Sequence, residues 1–379
     1  MKSRSISEPE GPPVSQKMSE KGKSSLSLFR KAGMAALLTV DMASINISAL
    51  NVPWKRRRET FFTLVWLLSL SLLPLLCILL SIYFLWNPMF RIPMLVYLGW
   101  IFIDKSPQSG SKGHYLGRVF FWKYVRDYFP ISLIKTSEIK PDRSYVFGYH
   151  PHGVISTGAL INFGTSANGF EKLFPGIRIH ILTLASNFNV PFGREWLLRM
   201  GICDASKKTC HNILSRGSGE SILLAVGGAE ESLDAFPGQY VLTLRKRKGF
   251  VRVALKTGAS LVPVIAFGEN ELWNAMPNPV GSKLRTFQER MKHLLKFTFP
   301  VVYGRGVFNY HYGLMPHRRS IVTVVGKPIL VDSPCDIDSE EGKKKVDKFH
   351  ALYISRLTEL FEKHKTKCTK YKGLELVIK

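Results

Sequence analysis

Two histidines, His150 and His152, bracket a proline in the run Phe147-Gly148-Tyr149-His150-Pro151-His152-Gly153. A neutral imidazole can accept the proton of a hydroxyl as its oxygen attacks an activated carbonyl such as a thioester. The tetrahedral oxyanion formed in that attack needs donors, and a glycine-flanked amide such as that of Gly153 suits the role. The apolar residues ahead of the histidines predict a strand, so the pair stands at a strand end, where α/β sheets place ligands. The bland alternative makes one histidine a cap on the strand, and it applies more readily to His150 than to His152.

A second run, Val226-Gly227-Gly228-Ala229-Glu230-Glu231-Ser232, also follows an apolar stretch and opens a helical pattern. Its glycine amides, at Gly227 and Gly228, could hold an anion. A carboxylate here could orient an imidazole and stabilise its charged form. Equally, Glu230 and Glu231 could be first-turn residues favoured by the helix dipole. A third run, Arg245-Lys246-Arg247-Lys248-Gly249-Phe250, places a basic cluster ahead of another helical pattern. Such a cluster suits phosphate groups, and a merely solvated face is its ordinary alternative.

Other chemistries find less support. His-x-His is a common metal-ligand pair, which raises a metal-dependent hydrolase, but Val154-Ile155-Ser156 adds no further ligand. A serine lipase would need a Gly-x-Ser-x-Gly elbow, which the chain lacks. The five cysteines are odd in number and scattered with no CxxC pair, as in a reduced, cytosol-facing protein. No metal site is expected.

The elements that must position these residues alternate. Strands are predicted at Ser144–Tyr149, Ser221–Val226 and Leu261–Phe267, with helices at Glu195–Met200, Lys207–Leu214 and Phe250–Thr257. Short strands alternating with helices predict a mostly parallel sheet covered by helices. Gly217-Ser218-Gly219 reads as a turn, and no GxGxxG fingerprint or internal repeat occurs.

Ahead of this region lies an uncharged run from Thr60 to Phe90, preceded by Lys55-Arg56-Arg57-Arg58. At ~1.5 Å per residue it exceeds the ~30 Å of a hydrocarbon layer, and Pro74 within it predicts a kink or break. Ile92–Ile103 is apolar but too short to span alone. Basic residues dominate both outer flanks (Lys55–Arg58; Lys105, Lys112, Arg118, Lys123). The positive-inside rule then puts both flanks in the cytosol, as a hairpin. The expected organisation is a largely disordered leader over 1–52, a transmembrane hairpin over 53–104 and a catalytic domain over 105–379. Phe29–Val40 could form a short amphipathic helix. A net charge of +25 over 379 residues points to a polyanionic partner; basic residues interleave with aromatics in no nucleic-acid module, so a membrane surface is expected. A non-enzymatic basic membrane scaffold would not need the glycine-flanked histidines.

Taken together these blocks resemble the diacylglycerol acyltransferase type 2 family, whose relatives include monoacylglycerol acyltransferases and wax synthases. The resemblance runs from about Pro53 to Ile378. Its further blocks are Tyr128-Phe129-Pro130, Phe174-Pro175-Gly176-Ile177-Arg178, Phe267-Gly268-Glu269-Asn270-Glu271, Gly304-Arg305-Gly306 and Val325-Gly326-Lys327-Pro328. It implies acyl transfer from acyl-coenzyme A, as substrate with no cofactor, to diacylglycerol, giving triacylglycerol. It also implies a multi-pass protein of the endoplasmic reticulum and lipid droplet, with both termini cytosolic; self-association is left open. His152 matches the base, Glu231 the orienting carboxylate and His150 a supporting member. By their charge, Arg245, Arg247 and Lys248 are the candidates for the acyl-coenzyme A phosphates; Tyr149, Pro151, Tyr128, Phe129, Pro130, Glu269, Asn270 and Arg305 are further motif positions. A wider resemblance to glycerophosphate acyltransferases implies their mixed α/β sheet with flanking helices. Their Asp five positions after the histidine is Thr157 here, which directs attention to Glu231.

Overall fold

The structure, a computed structural model, describes residues 52–110, 115–279, 281–295, 298, 300–308, 312–368 and 373–379. The leader up to residue 51, with the helix expected at 29–40, lies outside the described residues. Helix α1 (Trp54–Trp86) covers the long uncharged run, and Pro74 sits inside it without breaking it. It is the one helix among the described residues long and apolar enough to cross a membrane. Its buried residues are Glu59, Thr63, Trp66, Cys77 and Ser81, a single stripe at helical spacing that faces the domain. On the remaining faces Leu68, Leu72, Leu75, Leu76, Leu79 and Leu80 are exposed. The chain then turns at Asn87, whose side chain caps helix α2 (Pro88–Ile103) by accepting from the Met89 N–H at 3.0 Å. Helix α2 thus borrows Pro88–Arg91 beyond the apolar stretch Ile92–Ile103.

Seven strands form the main sheet in the order β1-β10-β7-β2-β5-β3-β4. They are β1 (Ile131–Lys135), β2 (Tyr145–His150), β3 (Arg178–Thr183), β4 (Cys203–Asp204), β5 (Glu220–Ala225), β7 (Ser260–Phe267) and β10 (Ile321–Val325). Strands β7, β2, β5, β3 and β4 run parallel, while β10 is antiparallel to β7 and parallel to β1. The sheet is therefore mixed. Every residue of β2 and β7 is buried, because helices cover both faces of the central strands.

The alternation of side chains divides the core in two. Tyr145, Phe147, Tyr149, Val262 and Val264 pack with Trp66, Trp122 and Ile161 on one face. Val146, Ile222, Leu261, Ile265 and Phe267 meet Phe250, Tyr353, Leu357 and Phe361 on the other. The second face is covered by helix α10 (Glu340–Cys368), whose buried Val346, His350, Tyr353, Leu357 and Phe361 recur at helical spacing. A parallel pair, β6 (Tyr240–Leu242) with β11 (Leu376–Ile378), lies apart from the main sheet.

Candidate active site

The carboxyl ends of β2, β5 and β7 converge, and each runs into one of the motifs singled out above. Register sets this: Tyr149 pairs with Ala225 and Val264, and His150 with Ile265. The turn after β2 carries Pro151, in cis linkage to His150, and Gly153 at φ +61°. It then enters helix α4 (Thr157–Phe163).

His152 is half-buried. Its Nδ1 lies 3.0 Å from the Gly153 carbonyl oxygen, so the proton on that ring rests on Nδ1. Nε2, with no hydrogen-bond partner among the described residues, is left with its lone pair. Burial pushes the imidazole below its usual pKa, which keeps it neutral. That is the form a general base requires.

His150 is placed differently. It is fully buried, and its Nε2 lies 3.1 Å from the Tyr353 hydroxyl. Tyr353 in turn donates to the Gly148 carbonyl at 3.1 Å. The hydroxyl's single proton is committed there, so it accepts from His150 Nε2–H. Burial drives the His150 pKa down to about 3. Its ring is a neutral strut between β2 and α10. A Cβ at Gly148 would collide with the Tyr353 hydroxyl, so the glycine there admits the tyrosine.

Two buried carboxylates grip the turn. Glu231, on the short helix α7 (Gly228–Ser232) that follows β5, accepts from the His152 backbone N–H at 2.5 Å and the Thr243 N–H at 2.9 Å. It meets the backbone of His152, not the ring, which is where its geometry departs from an imidazole-orienting carboxylate. Glu269, beyond β7, accepts from Thr157 N–H at 2.6 Å, Gly158 N–H at 3.0 Å and the Tyr149 hydroxyl at 2.8 Å. It caps α4 and lies against Gly153, where a Cβ would collide with it. Burial raises both carboxyls to about 7, against the opposing pull of their hydrogen bonds. At Gly227 a Cβ would overlap the Glu231 carboxylate, and Gly228 sits at φ +59°, so each glycine has its own reason to be there.

The basic run lines a cavity of about 350 Å³ at the same end of β5, bounded by Val226, Lys246, Arg247, Lys248, Gly249 and Phe250. Helix α8 (Gly249–Thr257) starts at its wall. Arg247 pairs with Glu230 at 2.9 Å and Lys248 with Asp347 at 2.6 Å, all four side chains between 42% and 63% exposed. Of the expected trio, Arg247 and Lys248 line this cavity together with Lys246, while the Arg245 guanidinium donates to the Ile378 carbonyl at 3.4 Å.

The remaining motif positions build the frame. The Tyr128 hydroxyl donates to the Pro316 carbonyl at 2.6 Å, and Phe129 is wholly buried. Pro130 leads into β1, so the Tyr128-Phe129-Pro130 block joins helix α3 (Phe121–Tyr128) to the sheet edge. Asn270 donates to the Gln239 carbonyl at 2.8 Å, and Arg305 to the carbonyls of Gly306 and Val307. Tyr353 and Thr243 went unread in the sequence, and Lys246 was read only as part of the basic run. Only the apolar spacing around Tyr353 hinted at its burial, and nothing there hinted at its hydroxyl. Among the described residues no group of three or more His, Cys, Asp or Glu side chains is arranged to hold a metal ion.

A sequence profile described as diacylglycerol acyltransferase matches residues 83–379. Diacylglycerol O-acyltransferase 2 of Dictyostelium discoideum is 46% identical over 323 residues, covering 84% of this chain and 94% of that protein. Diacylglycerol O-acyltransferase 2A of Umbelopsis ramanniana is 43% identical, covering 83% and 88%. The 2-acylglycerol O-acyltransferase 1 of Bos taurus is 42% identical, covering 85% and 96%. Among solved structures, the crystal structure of the 1-acyl-sn-glycerophosphate acyltransferase from Thermotoga maritima aligns with a TM-score of 0.33 at 14% identity, covering 75% of this chain and 97% of that one.

Proposed function

The chain belongs to the diacylglycerol acyltransferase family, and from that premise we propose how its residues esterify diacylglycerol with acyl-coenzyme A to give triacylglycerol. The observation that carries the mechanism is His152, with Nδ1 committed to the Gly153 carbonyl and Nε2 unpartnered at the strand end. Nε2 takes the proton of the acceptor hydroxyl as that oxygen attacks the thioester carbon. The Gly153 N–H, without a partner among the described residues, donates to the oxyanion. Collapse breaks the C–S bond, and the imidazolium returns its proton to the departing thiolate. General-base help of this kind is worth roughly two to four orders of magnitude.

Glu231 acts through the main chain: it holds the His152 amide, and so the base, at a fixed distance from the Gly227-Gly228 turn. Glu269 does the same for Gly153 and α4. The cavity beside Lys246, Arg247 and Lys248 takes the phosphates of coenzyme A, where cations and the first amides of α8 act together.

Both apolar helices are embedded in the bilayer of the endoplasmic reticulum or a lipid droplet, as a hairpin with cytosolic flanks. The hairpin lies inclined along the domain. From Glu59 to Cys77 the buried stripe of α1 follows the domain for about 27 Å at ~1.5 Å per residue. Phe192 of the domain packs against Phe84 at 6.1 Å and Tyr97 at 5.1 Å, so the domain stays beside the hairpin to near its turn. The inclined arrangement presents the exposed leucines to lipid and brings the neutral acceptor to the catalytic end of the sheet.

The test is purified protein in bilayers with labelled acyl-coenzyme A and a panel of diacylglycerol, 2-acylglycerol, fatty alcohol and lysophosphatidate. Diacylglycerol is expected to give the highest kcat/KM; a preference for any other acceptor overturns the assignment.

A further inference from the structure

We propose that Gly304–Phe308 and Tyr312–Met315, paired through their backbones, form a second bilayer contact, carried by the catalytic domain and dipping into the lipid interface beside the start of α1. The proposal rests on the reading of α1 as lipid-embedded. Its apolar side chains stand in the open: Phe308 is 74% exposed, Leu314 81%, and Tyr312 is exposed as well. Large apolar groups clustered at one loop mark an interaction surface.

The segment is braced. Gly304 and Gly313 exchange backbone hydrogen bonds at 2.7 and 3.0 Å, and Arg305 and Met315 at 2.7 and 2.9 Å. The Trp273 indole donates to the Leu314 carbonyl at 3.2 Å, and the Tyr312 ring stacks on Tyr303 at 5.7 Å. The buried Arg305 guanidinium ties down Gly306 and Val307. Phe308 and Leu314 are therefore held outward by a built frame.

Position selects the occupant. Four residues beyond Leu314, Arg318 pairs with Glu59, donates to the Arg56 carbonyl at 2.9 Å and the Thr60 hydroxyl at 3.0 Å, and lies over the Tyr128 ring at 4.2 Å. The root of the segment is thus fastened to the first turns of α1, where the apolar run begins. The other flank continues the surface: Phe120, 72% exposed, meets Phe62 of α1 edge-on at 6.0 Å. Lys55–Arg58 in the first turns of α1, with Arg318 against them, supply cations there. Apolar tips beside a basic collar are the pattern of an element lying in an anionic lipid interface. A protein partner would have no need of continuity with the lipid-facing surface of α1.

The experiment places a photoreactive benzoyl-phenylalanine at Phe308, Leu314, Leu76 or Leu330 of the full chain, in liposomes containing radiolabelled phosphatidylcholine and phosphatidylserine. Leu76 lies on the exposed face of α1. Leu330 is 55% exposed but adjoins Ile329, which bridges to Leu261 at the opposite end of the sheet. Lipid label is expected at 308 and 314 at the level seen for 76, with 330 near background. Label at 76 but not at 308 or 314 overturns this proposal and leaves the embedded helix standing. No label at any site removes the lipid reading of α1 as well, and a protein adduct at 308 in place of lipid makes the surface a protein-docking one. The paired variant Phe308→Ser, Leu314→Ser supplies a second readout. It is expected to lower kcat/KM about tenfold for long-chain diacylglycerol in bilayers and to leave that for a water-soluble short-chain acceptor within twofold; equal losses overturn the proposal.

Discussion

Glu231→Gln separates a carboxylate that positions the backbone from one that orients the ring. In the wild type each carboxylate oxygen takes a different N–H, from His152 and from Thr243. A glutamine offers one carbonyl oxygen, so its amide N–H₂ must face one of the two donors. One buried N–H is then left unsatisfied, at a cost of about 1–3 kcal/mol. If that cost falls on the placement of His152, kcat drops by roughly 5- to 150-fold. The effect depends on pH with a definite sign. Burial holds Glu231 at about 7, so near pH 8 about nine-tenths is ionised and near pH 6 about one-tenth. The ionised form is the better acceptor, so wild-type activity falls as pH drops through 7 and the deficit of Glu231→Gln narrows there. The assay is kcat and KM in bilayers from pH 5.5 to 8.5, with folding checked by thermal denaturation. Wild-type kcat for Glu231→Gln at pH 8 would refute the clasp. A deficit constant across pH, with a displaced acidic limb belonging to His152, would return Glu231 to the ring.

Three further outcomes follow from the same geometry. His152→Ala should lose roughly 10²–10⁴-fold in kcat with little change in apparent melting temperature, and in Glu231→Gln the remaining acidic limb should lie below 6.5, because burial lowers the His152 pKa; a limb above 7 would assign it elsewhere. Neutralising Lys246, Arg247 and Lys248 together should raise KM for acyl-coenzyme A severalfold more than KM for diacylglycerol, since only the former carries phosphates; equal shifts would make the cluster a solvated face. Gly148→Ala should destabilise the fold by about 1–3 kcal/mol through the Tyr353 hydroxyl, and Gly148→Ala combined with Tyr353→Phe should recover part of the loss, read from thermal midpoints.

How much of this was legible beforehand depends on whether the signal was local. The strands at 144–149, 221–226 and 261–267 were readable because apolar runs between turn residues need no distant partner to identify them, and the structure places β2, β5 and β7 within a residue of those bounds. The same holds for the uncharged run Thr60–Phe90, most of which lies in α1, since its length and composition are local properties. His152 stood out because a histidine beside glycine at a strand end is itself a local pattern. Partners were another matter. Glu231 lies 79 positions from the amide it holds, Tyr353 lies 203 from His150, and Arg318 lies 259 from Glu59. The adjacency of β2 and β5 makes the first pair neighbours and the packing of α10 on the sheet face makes the second, and no spacing rule in one dimension encodes either. Residue type announced that Glu231 and His152 could do acid–base chemistry. Whether the carboxylate would meet the ring or the backbone was decided by the register of β2 on β5 and by the room Gly227 leaves, which are properties of packed strands and not of the chain that forms them.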